Sequence, residues 1–296
     1  MTAHIINGTE IARTILKEVR EEVARIKLKT GRVPGLAVVL VGDDPASEVY
    51  VRAKEKACAE AGIASFPRRL PASVSEKEVL ALVAALNADP KVHGILIQIP
   101  LPPSIDEGRV TEAVDPDKDV DGFHPRNLGK LLMGEETFVP CTPAGIQELI
   151  IREGIEVEGK HVVIVGRSNI VGKPLAAILM QKAAGANATV TLCHTGTKDL
   201  SSHTLRADIL VAAAGRARMI TANLVKDGAV VIDVGVNEVG RTAEGKRILV
   251  GDVDFEGVQE KASAITPVPG GVGPMTIAML LQNTLKAFKI AGGRAG

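Results

Sequence analysis

The chain has 296 residues, and its 35 Lys plus Arg are balanced by 35 Asp plus Glu. That length accommodates two domains of ordinary size, and the balanced charge argues against a nucleic-acid or membrane-surface footprint, both of which need a basic excess. Three cysteines, Cys58, Cys141 and Cys193, lie far apart with no CxxC pair, which argues against a zinc site or disulfide framework and fits a reducing cytoplasm.

The N-terminal MTAHIINGTEIA lacks the basic start and apolar run of a signal peptide. No apolar stretch approaches the roughly 20 residues that span a bilayer, so a soluble α/β protein is expected. Ile11, Ile15, Val19, Val23 and Ile26 recur at helical spacing and predict an amphipathic helix over 9–29. GLAVVLVG (35–42) reads as a strand buried on both faces.

A helix then runs to Gly62. Asp44 suits its N-cap, Pro45 its first turn and Gly62 its close. Ala46, Val49, Ala53, Ala57 and Ala61 form an apolar stripe expected to pack inward, with Tyr50 and Lys54 stacked four apart on its flank. Tyr50 is the only tyrosine in a chain without tryptophan. Two readings are open on this helix alone: a phenol and a lysine that hold a flat ligand and move a proton, or a core cap beside a solvated lysine.

A basic connector around Arg68 and Arg69 and a helix from Ser75 to Asn87 follow, the latter opened by the Ser75/Glu78 capping box. HGILIQIPLP (93–102) is a second buried strand. Gln98 interrupts it, and a buried amide without partners costs about 1–3 kcal/mol, so it must bond either local backbone or a group in a cleft at the strand's carboxyl end. DPDKDVDGFHPRNLGKL (115–131), with four aspartates and two prolines, is expected to be irregular. It lacks the glycine and terminal glutamate spacing of a calcium loop, and no metal site is expected. PCTPAGIQELI (140–150) starts a helix at Thr142–Pro143 and serves as the hinge into a second domain.

That domain opens with KHVVIVGRSNIVGKPLAAILM (160–180). A strand ending at Val165, a turn at Gly166 and a helix from about Val171 would make a phosphate cradle of backbone N–H groups. The dinucleotide fingerprint is degenerate here, with Ser168 where its second glycine would sit. Strands over 188–195, 207–215 and 229–237 complete the succession of a mononucleotide-binding sheet. A wound sheet without nucleotide is the alternative. Pro267 to Pro274 is a rigid, side-chain-poor loop, and the apolar helix from Thr276 through Phe288 could pack back on the first domain.

Taken in order, SEVYVRAKEKACAEAGI, GILIQIPLP, PDKDVDGFHPRNLG, PCTPAGI, VGRSNIVGKP and ITPVPGGVGPMT resemble the bifunctional methylenetetrahydrofolate dehydrogenase/methenyltetrahydrofolate cyclohydrolase family over nearly the full length. The resemblance implies two wound α/β domains flanking a cleft: a folate-binding catalytic domain (1–139 plus 276–296) and a Rossmann-type NADP-binding domain (140–275). It also implies a homodimer. Carried over by residue, Lys54 would be the catalytic lysine, Tyr50 the ring stacked on the folate, and Gln98 the hydrogen-bond partner of Lys54. Asp121 would bind the pterin's amino edge. Pro269, Gly270, Gly271 and Gly273 would line the folate. Gly166, Arg167, Ser168, Thr195 and Val236 match cofactor-binding positions; family members often carry serine at the position of Thr195, which keeps the hydroxyl.

The implied chemistry is transfer of a hydride from methylene-tetrahydrofolate to NADP, then hydrolysis of the methenyl cation to 10-formyl-tetrahydrofolate. The first step needs two rings held face to face; the second needs a general base for water and a general acid for the departing ring nitrogen. One lysine serves as both if burial and nearby positive charge, supplied by the substrate cation and the cofactor, lower its pKa. The alternatives are a dehydrogenase without the hydrolytic step, another two-domain Rossmann oxidoreductase of the shikimate dehydrogenase type, and a non-catalytic dinucleotide sensor. A sensor would have no reason to keep Tyr50, Lys54, Gln98 and Asp121 together.

Overall fold

The computed structural model describes residues 2–242 and 244–293. The chain begins with β1 (His4–Ile5), α1 (Gly8–Thr30), β2 (Gly35–Val41), α2 (Pro45–Ala61), β3 (Ala64–Leu70), α3 (Glu76–Ala88) and β4 (Gly94–Ile97). Helices α4 (Glu107–Ala113), α5 (Pro125–Met133) and α6 (Cys141–Arg152) lead to β5 (His161–Val165), α7 (Gly172–Leu179), β6 (Thr189–Cys193), α8 (Leu200–Thr204) and β7 (Ile209–Ala212). The remainder is β8 (Val230–Asp233), a hairpin of β9 (Asn237–Arg241) and β10 (Arg247–Val250), α9 (Phe255–Gln259), β11 (Ala264–Ile265) and α10 (Val272–Gly293).

Two compact units result. The first comprises Arg13–Cys141 and Ile277–Gly296, the second Met1–Ala12 and Thr142–Thr276. The division expected at 139/140 and 275/276 therefore differs at the N-terminus. Residues up to Ala12 go with the second unit because β1 adds as a parallel strand beside β11.

In the first unit, β3, β2 and β4 form a parallel sheet in that order, and every residue of β2 is buried. Burying each such Val or Leu stabilises by about 1.5–3 kcal/mol, which is why this run carries no polar residue. The connector expected around Arg68 and Arg69 is in fact strand β3. It lies at the sheet edge, where Pro67 costs no ladder bond and the basic side chains reach solvent. Residues 125–131, the later part of the stretch expected to be irregular, lie in α5: His124 caps it, its Nδ1 accepting from Arg126 N at 3.0 Å, and Pro125 takes the first helical position. Helix α10 closes this unit. Asn283 Nδ2 donates to Val120 O at 2.9 Å and Val139 O at 3.0 Å, and Lys286 Nζ donates to Thr137 O at 2.9 Å. It begins at Val272, one turn before the expected Thr276, and α6 likewise starts at Cys141, ahead of the expected Thr142–Pro143 cap.

The second unit carries a six-stranded sheet in the order β1-β11-β8-β7-β5-β6, parallel throughout. After β1, the chain comes back to this sheet at β5, steps outward to β6, then returns across β5 to β7. This reversal creates a switch point between β5 and β7, where ligands of open α/β sheets bind outside the carboxyl ends. Its core gathers Val163, Val165, Leu210, Ala212, Val231 and Ile265 from the strands.

Candidate active site

Helix α2 brings Lys54 inside. Asp44 Oδ2 accepts from Ser47 N at 2.8 Å, and Gly62 closes the helix with φ 75°. The inward face is Ser47, Val51, Lys54, Cys58 and Ala61, each at most 9% exposed. The expected stripe holds only at its C-terminal end, where Ala57 and Ala61 are buried; Val49 is 52% exposed, Ala53 is half-buried, and the side chain of Ala46 lies outside the described residues. Tyr50 stands at the rim, 46% exposed, one turn from Lys54.

Lys54 Nζ donates to Gln98 Oε1 at 2.9 Å. Gln98 follows β4 directly; its N–H continues the ladder to Val39 O at 2.8 Å and its Nε2 donates to Ile99 O at 2.8 Å. Both alternatives open for this amide are thus realised, local backbone by one end and a site lysine by the other. Burial pushes the Lys54 pKa down, while the negative charge of Asp121 and the Cys141 thiol pull it back up. The positive charge expected beside Lys54 belongs to the substrate cation and the cofactor; the protein's own charged neighbour here, Asp121, is acidic.

The two inner aspartates of the 115–121 stretch divide their work. Asp119 is 4% exposed and organises the loop: its carboxylate accepts from Gly122 N, Phe123 N, His124 N and Asn127 Nδ2. Asp121 is the coupled one. Crowding by protein raises its pKa to about 6 although the Lys54 charge opposes the rise. On its two sides the backbone is clamped. Val120 O accepts from both Asn283 Nδ2 and Cys141 Sγ, and a Cβ on Gly122, φ 76°, would lie 2.6 Å from Pro140 N. Cys141 and Asn283 escaped the sequence reading as site residues, although Cys141 lies within the PCTPAGI motif.

In the second unit, the turn after β5 is built for close approach. Gly166 has φ 137°, and a Cβ there would fall 2.0 Å from Ala213 O; one on Gly172 would fall 1.9 Å from Gly166 O. No side chain fits at either place. Ser168 Oγ accepts from Val171 N at 3.1 Å, and residues 167–170 are exposed ahead of α7. The bond from Gly166 N to Cys193 O at 2.9 Å sets the turn beside the end of β6, where His194 and Thr195 emerge. The first carboxylate beyond β6, Asp199, is spent on capping α8, accepting from Ser202 N and Ser201 Oγ. Val236, 49% exposed, follows the end of β8. The glycine cradle, the exposed residues 167–170 ahead of α7 and the Arg167 among them fit a dinucleotide phosphate. Pro269, Gly270, Gly271 and Gly273 belong to this unit as well; Gly270 O accepts from Thr9 N at 2.9 Å, and a Cβ on Gly8 would meet Gly271 O at 1.9 Å.

A wound sheet with a glycine turn at its switch point, joined in one chain to a unit with a buried lysine, defines a dinucleotide-dependent α/β enzyme. The family model of the tetrahydrofolate dehydrogenase/cyclohydrolase catalytic domain matches residues 6–121, and that of the same family's NAD(P)-binding domain matches 140–292. The bifunctional protein FolD of Dehalococcoides mccartyi strain CBDB1 is 64% identical over 293 residues, covering 99% of both chains. The crystal structure of the bifunctional FolD enzyme from Campylobacter jejuni superposes with a TM-score of 0.91 at 48% identity, covering 99% of both chains. That of the Trypanosoma brucei methylenetetrahydrofolate dehydrogenase-cyclohydrolase, complexed with NADP cofactor and inhibitor, gives 0.93 at 40%, again over 99% of both. The chain belongs to the tetrahydrofolate dehydrogenase/cyclohydrolase family.

Proposed function

We propose that this chain oxidises 5,10-methylene-tetrahydrofolate with NADP and hydrolyses the resulting 5,10-methenyl-tetrahydrofolate to 10-formyl-tetrahydrofolate. The observation that carries the reading is the buried Lys54, hydrogen-bonded to Gln98 and coupled to Asp121, in a chain matched end to end by bifunctional relatives.

Gly166, Arg167, Ser168, Thr195 and Val236 would hold NADP, which when bound would supply the acceptor for the hydride of the methylene bridge. Lys54 carries the hydrolysis. Burial lowers its pKa, and in its neutral form the amine takes one proton from the water whose oxygen bonds to the methenyl carbon. The ammonium so formed returns a proton to the ring nitrogen as that carbon–nitrogen bond breaks. The added hydroxyl loses its own proton to solvent and becomes the formyl oxygen, so one proton is released for each cation hydrolysed. Gln98 keeps Lys54 from swinging away. Tyr50, at the rim of the same helix, stacks on the folate ring, and the Asp121 carboxylate accepts paired N–H bonds from its aminopyrimidine edge. The reading extends to a homodimer, as the family resemblance implies, and to a reducing compartment, since all three thiols are free and buried. No helix among the described residues is long and apolar enough to cross a membrane.

The test is a single mixture of protein, NADP and methylene-tetrahydrofolate, followed for NADPH and for methenyl absorbance. NADPH should accumulate while the methenyl signal rises and then decays. A methenyl signal that persists at its uncatalysed lifetime leaves only a dehydrogenase, and no NADPH at all contradicts both activities.

A further inference from the structure

Two carboxylates outside this machinery lie inside the second unit: Asp233 at the end of β8 and Asp252 after β10, 3% and 0% exposed. Asp252 gathers three consecutive backbone amides. Ala214 N and Gly215 N donate to its Oδ2 at 2.6 and 2.8 Å, and Arg216 N donates to its Oδ1 at 2.9 Å. The same Oδ1 accepts from Asn237 Nδ2 at 2.9 Å. Asp233 stands behind it and accepts from Asp252 N, Gly235 N and Val253 N, each at 2.9 Å. The packing leaves no slack: a Cβ on Gly235 would lie 2.2 Å from Asp252 Oδ1, and one on Gly251 would lie 1.8 Å from Asp233 Oδ2.

The amides held by Asp252 belong to the loop that leaves β7. That loop starts at Ala213, whose carbonyl oxygen is the atom pressed against the Gly166 turn. Asn237, the first residue of β9, directly follows Val236 and closes the loop that leaves β8. One carboxylate therefore fixes two loops at the carboxyl ends of adjacent strands, on the edge where a nucleotide enters an open α/β sheet. We propose that Asp252 is a positioning residue for the dinucleotide, setting the walls on the far side of the switch point from the phosphate turn. It does so without touching the ligand. This assignment rests on the reading of that edge as the NADP site. A neutral amide cannot replace it, because Asn offers one oxygen and would aim its own N–H at the remaining donors.

The test compares Asp252→Asn and Asn237→Ala with the parental protein. NADP titration calorimetry is run beside methenyl-folate hydrolysis without added cofactor and thermal unfolding. The Kd for NADP should rise about tenfold or more in Asp252→Asn, equivalent to about 1.4 kcal/mol, and about threefold in Asn237→Ala. Hydrolysis should continue at the parental rate, since Lys54, Gln98 and Asp121 belong to the other unit. A folded Asp252→Asn protein with the parental Kd overturns the assignment even if its melting temperature falls, because that pattern is what a purely structural pair gives. Should Asp252→Asn fail to fold, Asn237→Ala decides alone: a raised Kd supports the assignment and an unchanged one overturns it. A parental protein that binds no NADP is a separate result, overturning the reading of the site and the assignment with it.

Discussion

Lys54 Nζ donates to Gln98 Oε1 across 2.9 Å, joining the middle of α2 to the residue that follows β4. The amide cannot turn over freely, because its nitrogen is committed to Ile99 O at 2.8 Å. A charged hydrogen bond of this kind contributes about 1.5–3 kcal/mol when both partners are shielded from water. It holds the lysine at one place while leaving it without a full counter-charge at that contact, which keeps the neutral amine accessible.

Gln98→Glu turns this contact into an ion pair. A carboxylate at the same distance favours the ammonium and raises the Lys54 pKa, opposing the burial that lowers it. Cyclohydrolase turnover at pH 7.5 should fall by about tenfold or more, and its rising limb should move to higher pH by about one unit or more. A rate–pH profile of the two proteins checks this, and an unshifted limb would mean that Gln98 does not govern the lysine.

Asp121→Asn should weaken folate binding by about tenfold or more while leaving the NADP Kd unchanged, since an amide accepts one of the two N–H bonds and points a donor at the other. Stability should move the opposite way. The folded-state pKa of Asp121 is raised from 3.8 to about 6 by burial. The stability it contributes is therefore complete below pH 3.8 and lost as pH rises through about 6. The ligand-free variant should be more stable than the parent by up to about 3 kcal/mol at pH 7.5, with the difference vanishing near pH 4. Denaturant melts at the two pH values measure it; a loss of stability at pH 7.5 would make Asp121 a loop-holding residue like Asp119.

Cofactor choice depends on charge at the end of β6. With Asp199 engaged in capping α8, no carboxylate there is available to hold ribose hydroxyls or repel a ribose phosphate. Arg167 is exposed in the adjoining turn. NADP should be strongly preferred over NAD, and Arg167→Ala should raise the NADP KM by about one to two decades, the loss of a charged hydrogen bond worth about 1.5–3 kcal/mol. The NAD value should change little. Steady-state kinetics with both cofactors decide the matter, and an unaltered NADP/NAD ratio removes Arg167 from the role.

The buried strands and the glycine turn were legible because their signals are local: β-branched runs, caps at Asp44 and Ser75, and a Gly166 that no other residue can replace. The phase of α2 was not. Its true inner face runs through Ser47 and Lys54, spaced four, three, four and three with Val51, Cys58 and Ala61, and an apolar criterion passes over both polar members. Lys54 is buried because Gln98 receives it from another element, which no helical period can reveal. Strand β3 was hidden for a related reason: an edge strand tolerates Pro67 and two arginines that a central one would exclude. The partition of labour between Asp119 and Asp121 also lies beyond pattern, since it depends on which carboxylate the turn from Gly122 to His124 closes upon. Likewise β1 and β11 are two residues each, too short for periodicity, yet they decide that the N-terminus joins the second unit.

Lys54→Met tests the central claim most directly. Methionine keeps an unbranched chain in the buried position but cannot exchange a proton, and it removes the cost of a charge there. Methenyl-folate hydrolysis and folate binding are to be measured on the same preparation, the first by decay of methenyl absorbance and the second by calorimetry. Hydrolysis reduced to the uncatalysed rate, with folate bound within a few-fold of the parental Kd, is the expected result. Hydrolysis near the parental rate would show that another group moves the proton.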